Sequence, residues 1–172
     1  MAYIFNILHL MGAIGKNTYG FFSRPVLLYD SFYLFFFTGV PLSWLVCKGE
    51  CVFSYLYKKY ENPQYILGSD SHNYSDLAQL FPNKSAYKIY SHISVMAMLG
   101  SFILVNNRTR IIPLDIFIPL SAFLAFYLWD IELFSGYHID LFYPGFHVIL
   151  GYYLANSVYL CFSKLRSILS VH

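Results

Sequence analysis

Four long apolar stretches divide the chain, and polar or charged residues separate them. They cover residues 26–47, 87–105, 111–134 and 139–162. A hydrocarbon core about 30 Å thick needs roughly 20 apolar helical residues, so each stretch is long enough to cross a bilayer. Pro41 and Pro119 lie inside two of the stretches and predict kinks rather than ends, because neighbouring helices satisfy the backbone groups that a proline frees. The pattern predicts an all-α bundle of four transmembrane helices.

Two further segments are too short to span. The apolar segment Tyr3–Ile14 ends before Gly15-Lys16-Asn17 and predicts an N-terminal interfacial helix. The connection over residues 48–86 is long, and within it Cys51–Tyr60 has the amphipathic pattern of a helix that lies on a membrane surface. We therefore expect one transmembrane domain over residues 1–172, with a partly helical long loop.

The composition favours the same class of protein. Hydrophobic residues make up 58% of the chain and charged residues 12%, whereas soluble domains carry about 25% charged residues. So little charge cannot cover the surface of a water-soluble globule. The net charge of +2 argues against a nucleic-acid partner. The expected partners are membrane lipids, together with a second copy of the chain or another membrane protein.

Basic residues suggest how the spans are oriented. Residues 111–163 contain neither Lys nor Arg, so we expect the turn between the third and fourth spans to face away from the cytoplasm. The short turn with Arg108 and Arg110, and the tail with Lys164 and Arg166, would then be cytoplasmic. An integral membrane protein with both termini in the cytoplasm is the expectation.

Ionisable residues inside spans are costly, and each is a candidate for function. His92, Asp130 and His147 are all placed roughly 5–10 Å below the same outer interface, at 1.5 Å of rise per helical residue. These three are the candidate catalytic residues. Just above them lie further acidic and imidazole groups, and the candidate metal ligands are therefore His92, His147, Glu132, His138 and Asp140.

Several kinds of chemistry are compatible with this cluster. Two histidines with carboxylates could hold a zinc-like ion, and His92 with Asp130 could activate Ser91 or Ser94 as a nucleophile. Two histidines on facing helices could also ligate a haem, which is the least favoured of these sites. The alternative without chemistry is hydrogen bonding between helices, which accounts for many intramembrane polar residues. The cofactor, if there is one, stays unknown at this point.

One segment resembles known sequences. Residues 44–59 read WLVCKGECVFSYLYKK and are followed by Asn62-Pro63 and Gly68. This stretch is similar to one in uncharacterised small multi-span membrane proteins of large DNA viruses of algae and other protists. The resemblance implies a multi-pass membrane protein of viral type, and it assigns no functional residue.

Three functions are consistent with these observations. The first is a membrane protein that works through helix packing or assembly with partners. The second is a small membrane-embedded enzyme, lipid hydrolase-like or metal-dependent, that uses the His/Asp cluster. The third is a transporter or pore, which would need several copies of a four-span chain to enclose a path.

Overall fold

The computed structural model describes residues 2–69, 75–133 and 143–170. Within these residues the chain is all-α, with six helices of ten residues or more and one single turn, α4. In chain order the helices are α1 (Ala2–Phe22), α2 (Leu27–Val46), α3 (Val52–Glu61), α4 (Ser75–Ala78), α5 (Lys84–Thr109), α6 (Leu114–Leu133) and α7 (Tyr143–Leu169).

The first helix runs parallel to α5. The Asn17 side chain donates a hydrogen bond to Ser94 Oγ. Three residues later the backbone N–H of Gly20 donates to Ser101 Oγ at 2.7 Å. A Cβ atom at Gly20 would lie 2.5 Å from the Ser101 carbonyl oxygen. The absence of a side chain at Gly20 therefore allows the two backbones to approach closely.

The remaining long helices alternate in direction. α2 runs against α5, since Asp30 contacts Arg108 near one end and Phe37 stacks on Phe102 farther along. α6 runs against α5 and α7, and α7 runs against α2. The five long helices thus form an up-and-down bundle. We call the end at which α1 begins and α2 leads into α3 the loop end, and the end at which α7 finishes the tail end.

Aromatic and leucine side chains fill the centre of the bundle. The rings of Phe37 and Phe102 stack with centroids 4.2 Å apart, and Phe117 packs 4.9 Å from Phe102. Leucines from α2, α6 and α7 close the core around them and are fully buried; these are Leu34, Leu120, Leu124, Leu150 and Leu154. Burial of this apolar area holds α2, α5, α6 and α7 together.

A buried asparagine closes the turn between α5 and α6. Asn106 Nδ2 donates to the Ile112 carbonyl oxygen at 2.9 Å, and the Ile112 N–H donates to Asn106 Oδ1 at 3.0 Å. Arg110, which ends α5, has a left-handed backbone with φ of 54°. The side chain of Asn106 therefore satisfies both backbone groups of Ile112 in the buried turn that follows α5.

The N-terminal helix is longer than the sequence pattern predicts. We expected it to end at Ile14, yet α1 continues without a break to Phe22 and packs along α5. Lys16 and Asn17 do not end the helix, because the bundle supplies partners for both. Lys16 lies over aromatic rings of α2, and Asn17 bonds to Ser94. The predicted end of this helix at Ile14 is therefore wrong.

The predicted spans coincide with helices, but the structure supports only two of them as membrane spans. Among the described helices, α5 and α7 are long and apolar enough to cross a membrane. α2, which contains Asp30 and Pro41, is not one of them, and the side chains of α6 are described only as far as Leu128. The all-α prediction and the helix within the long loop are confirmed, and the prediction of four transmembrane helices is not. Two apolar helices suggest association with a membrane.

The start of α1 and the end of α7 lie at opposite ends of the bundle. α1 starts at the loop end, where His9 contacts Cys51, and α7 finishes at the tail end, where Phe162 packs near Phe35. A bundle that crosses a bilayer would therefore place the start of α1 and the end of α7 on opposite sides. This arrangement does not support the expectation that both termini are cytoplasmic.

Candidate functional site

A cleft separates α1 from α2 toward the loop end. Near the tail end the two helices touch, with the Tyr19 ring stacked on Tyr33 at 4.6 Å. Farther along, a Cβ atom built on Gly12 would meet no described atom within 4 Å. The cleft encloses about 450 Å³ and is lined by Leu8, His9, Gly12, Ala13, Lys16, Val40, Trp44 and Cys51. Pockets that bind small molecules typically enclose about 300–1,000 Å³.

A smaller cavity of about 90 Å³ adjoins the cleft on the side of α5. The two share wall residues, among them His9, Lys16 and Trp44. Asn17 lines the smaller cavity and is 95% buried. α5 contributes Tyr90, Ser91, Ser94, Val95 and Met98 to its wall. Polar groups therefore collect where the cleft meets α5.

Lys16 supplies a positive charge to this region. Its ammonium lies 5.8 Å from the centroid of the Trp44 ring and 5.9 Å from that of Phe37. Such contacts favour a partly desolvated cation. A helical lysine leans toward the N-terminus of its helix, which here is the loop end. The charge is thus held on the wall of an otherwise apolar cleft.

Two buried polar atoms on the same walls lack hydrogen-bond partners among the described residues. They are Asn17 Oδ1, an acceptor, and Trp44 Nε1, a donor. Leaving a buried polar atom unsatisfied costs about 1–3 kcal/mol. Both atoms are fully buried and do not face the cleft, so the polar group that a ligand in the cleft would meet is the Lys16 cation, which is suited to an amphipathic ligand with an anionic group.

A thiol and an imidazole meet at the loop end of the cleft. Cys51 Sγ lies 3.8 Å from His9 Nε2. Cys51 is the residue immediately before α3, and its side chain makes no hydrogen bond to the first backbone N–H groups of that helix.

A buried ion pair fixes the loop that carries Cys51. Glu50 is fully buried, and its Oε1 accepts hydrogen bonds from Lys58 Nζ at 2.8 Å and from the Tyr65 hydroxyl at 2.9 Å. Its Oε2 accepts from the Gly68 N–H at 3.0 Å. Burial lowers the pKa of Lys58, but the hydrogen bond and the charge of Glu50 outweigh burial and raise that pKa overall.

A second buried ion pair closes the tail end, away from the cleft. Arg108 Nε donates to Asp30 Oδ2 at 2.9 Å, and a second guanidinium nitrogen donates to Asp30 Oδ1. The guanidinium also bonds to the Ser23 carbonyl and hydroxyl oxygens at 3.1 and 2.8 Å. The Tyr19 hydroxyl donates to Asp30 at 2.9 Å. This network ties α1, α2 and α5 together.

The structure leaves most of the predicted His/Asp cluster untested. His92 is half-buried on α5, and His147 is half-buried on α7 with its ring 5.8 Å from Tyr127. α5 and α7 each pack against α2 and α6 rather than extensively against each other. Asp130 and Glu132 belong to α6, but their side chains, like residues 138 and 140, lie outside what the structure describes.

The metal and catalytic assignments therefore stay predictions. Among the side chains that the structure describes, which exclude those of Asp130 and Glu132, no group of three or more His, Cys, Asp and Glu could hold a metal ion. Of the predicted metal ligands, only His92 and His147 have described side chains, and of the predicted catalytic residues the same two.

Sequence reasoning missed the residues that line the cleft. His9, Lys16 and Asn17 were assigned to a short surface helix and its boundary. The available signal was the pair Lys16-Asn17 inside an otherwise apolar segment, which a continuous helix would bury. Comparison with known protein families, curated proteins and solved structures finds no match to this chain. The similarity to viral membrane proteins stays a prediction.

Proposed function

We propose that this chain is a multi-pass membrane protein that binds an amphipathic lipid in the cleft between α1 and α2. The observation that carries the proposal is the largely apolar cleft of about 450 Å³, with the Lys16 ammonium on its wall. The ligand class is a lipid with an anionic headgroup, such as a phospholipid with a net negative charge.

The outer surface of the bundle supports the membrane part of the proposal. Each long helix presents large apolar side chains that are at least 60% exposed, for example Met11, Phe36, Ile93, Ile118 and Val148. Exposing such area to water costs about 25 cal/mol per Å². A bilayer removes that cost on every side of the bundle. In this proposal α1, α2, α5, α6 and α7 all cross the membrane, one span more than the sequence predicts.

The orientation belongs to the same proposal. With the tail end in the cytoplasm, Arg108, Arg110, Lys164 and Arg166 are cytoplasmic, as basic residues near spans prefer. The start of α1 then lies outside. In a cysteine-free background, a cysteine at Gln64 in the loop and one at Ser170 after α7 would label from opposite sides of sealed vesicles. Labelling of both from one side would contradict a spanning bundle.

Among the three functions considered from sequence, the cleft favours the one that involves a lipid-like ligand. The cleft lies between two helices, and Gly12 and the exposed side chain of Leu8 line it. An acyl chain can enter such a gap sideways from the bilayer. Assembly with partner chains stays a prediction, and the geometry of the cleft argues neither for it nor against it.

Tryptophan fluorescence tests lipid binding directly. Trp44 lines the cleft, and the only other tryptophan is Trp129, so Trp129→Phe leaves one reporter. In nanodiscs we expect bromine-substituted phosphatidylglycerol to quench Trp44 with a saturable component at low mole fraction. This saturable quenching should be weaker with bromine-substituted phosphatidylcholine. Lys16→Gln should remove the difference in quenching between the two lipids.

Gly12 and Gly15 offer matched control variants. Both are exposed glycines of α1 with no described atom within 4 Å of a built Cβ, but only Gly12 lines the cleft. We expect Gly12→Leu to abolish the saturable quenching by filling the cleft, and Gly15→Leu to leave it unchanged. Equal quenching in the two variants would show that Trp44 senses only the surrounding bilayer.

A further inference from the structure

The smaller cavity behind the cleft is too small for a lipid, and we propose that it binds a small inorganic monoanion such as chloride. It encloses about 90 Å³ and is walled chiefly by α1 and α5. Pockets for organic ligands typically enclose at least about 300 Å³, whereas a water molecule takes up about 30 Å³ in the liquid. The space therefore suits one small ion together with water.

Two serine hydroxyls of α5 line this cavity. Ser91 is only 5% exposed, and its hydroxyl makes no hydrogen bond to a described residue. Its Oγ, unlike Asn17 Oδ1, is not one of the fully buried unsatisfied atoms, so it keeps surface in the cavity. Ser94 accepts a hydrogen bond from Asn17 Nδ2, and its own proton remains for another acceptor. Residues three apart on a helix share a face, so both hydroxyls can donate to one ligand.

The charge on the cavity wall decides which kind of ion fits. Lys16 lines the cavity, and its ammonium is held 5.8 Å from the centroid of the Trp44 ring. None of the described residues that line the cavity is acidic. Attraction between opposite charges is stronger where water is partly excluded than in bulk water. A cation and two hydroxyl donors around a small polar space therefore favour an anion over a cation.

The cavity begins at the loop end of the bundle. Leu77 of α4 and Tyr87 in the first turn of α5 line its outer part, and Lys16 and Ser94 lie deeper between the helices. In the orientation proposed for the bundle, the loop end faces outside, so the anion would enter from the external solution. The site shares Lys16 with the lipid-binding cleft, but an anion in the cavity needs no lipid beside it.

Quenching of tryptophan fluorescence by iodide tests the site, because Trp44 lines the cavity and Trp129→Phe leaves it as the single tryptophan. The full chain is studied in an uncharged detergent without added lipid, and potassium gluconate keeps the ionic strength constant. We expect a saturable component of iodide quenching in addition to linear collisional quenching, and chloride should displace that component. Linear quenching alone, or a saturable component that chloride does not displace, would overturn the proposal.

Serine variants identify the donors. Ser91→Ala should weaken the saturable iodide binding by about tenfold or more, because a hydrogen bond to a charged group is lost. Ser91→Thr keeps the hydroxyl and should bind iodide as the unchanged chain does. Ser157→Ala is the matched control, since Ser157 is fully buried on α7 and does not line the cavity. Equal iodide affinity in Ser91→Ala and Ser157→Ala would contradict the assignment of Ser91 to the site.

The outcomes separate anion binding from lipid binding. An unchanged emission maximum and unchanged linear quenching in Ser91→Ala show that the variant is folded around Trp44. Saturable quenching by iodide without saturable quenching by bromine-substituted lipid would support the anion site and refute the lipid-binding cleft. Saturable quenching by the lipid without any by iodide would refute the anion site and leave the lipid-binding proposal in place.

Discussion

Removing Arg108 tests whether the tail-end network holds three helices together. The change is Arg108→Gln, which keeps a polar side chain but removes the charge opposite Asp30. Asp30 is 99% buried, and after the change only the Tyr19 hydroxyl would still donate to its carboxylate from a side chain. A buried carboxylate is left without its counter-charge.

The expected loss of stability follows from that burial. Breaking a buried ion pair by removing one partner costs about 3–5 kcal/mol. For a chain of 150–250 residues, each kcal/mol lowers the unfolding temperature by about 2–4 °C. Arg108→Gln should therefore lower it by roughly 6–20 °C. Arg110→Gln, an exposed arginine two residues later, is the matched control and should change it little.

Cys161 provides the assay. Its side chain is fully buried in the core, so a thiol-reactive fluorophore labels it only when the bundle opens. In a Cys47→Ser/Cys51→Ser background, labelling is followed as detergent-solubilised protein is heated. Adding Asp30→Asn to Arg108→Gln should raise the unfolding temperature most of the way back, because no unpaired buried charge then remains at this site. If Arg108→Gln unfolds at the same temperature as Arg110→Gln, the network does not stabilise the bundle.

Three further predictions use the same labelling assay. Gly20→Ala should lower the unfolding temperature by an amount that corresponds to about 1–3 kcal/mol, because its methyl group would overlap Ser101; no change relative to Gly15→Ala would refute the close packing of α1 on α5. Asn106→Ala should destabilise the chain by about 1–3 kcal/mol, since the Ile112 N–H and carbonyl lose their partner in a buried turn; an unchanged midpoint would show that other groups satisfy them. Glu50 raises the pKa of Lys58 in the folded state. The stability that the Lys58–Glu50 ion pair contributes is therefore complete below the unfolded lysine pKa of about 10.4, and it is lost as pH rises through the folded pKa. Lys58→Arg should retain that stability to higher pH, and an identical pH dependence in Lys58→Arg would contradict this assignment.

The helices of the bundle could be predicted because apolar length is a local property. The predicted stretches 26–47, 87–105 and 111–134 overlap α2, α5 and α6 closely, and Pro41 and Pro119 lie inside helices as expected. α1 was underestimated because Lys16 and Asn17 resemble the polar end of a helix. Only the three-dimensional packing shows that Lys16 lies over an aromatic ring of α2 and that Asn17 bonds to Ser94 of α5, so that both polar side chains have partners inside the bundle.

The candidate site was harder to predict because its residues are far apart in sequence. His9 and Cys51 are 42 residues apart, and Asp30 and Arg108 are 78 apart. Depth along a span can be counted from sequence, which is how His92 and His147 were grouped. Which helices pack against each other cannot be counted from the sequence, and this packing decides which polar side chains meet. The parallel pairing of α1 with α5 brings Asn17 to the cavity behind the cleft.

The most direct test of the central claim is native mass spectrometry of the protein released from nanodiscs of mixed phosphatidylglycerol and phosphatidylcholine. If the cleft binds an anionic lipid, the unchanged chain and Gly15→Leu should each retain one phosphatidylglycerol at collision energies that strip the remaining lipids, and Gly12→Leu should retain none. Retention of the same lipids by Gly12→Leu, or equal retention of the two lipid classes by the unchanged chain, would contradict the claim.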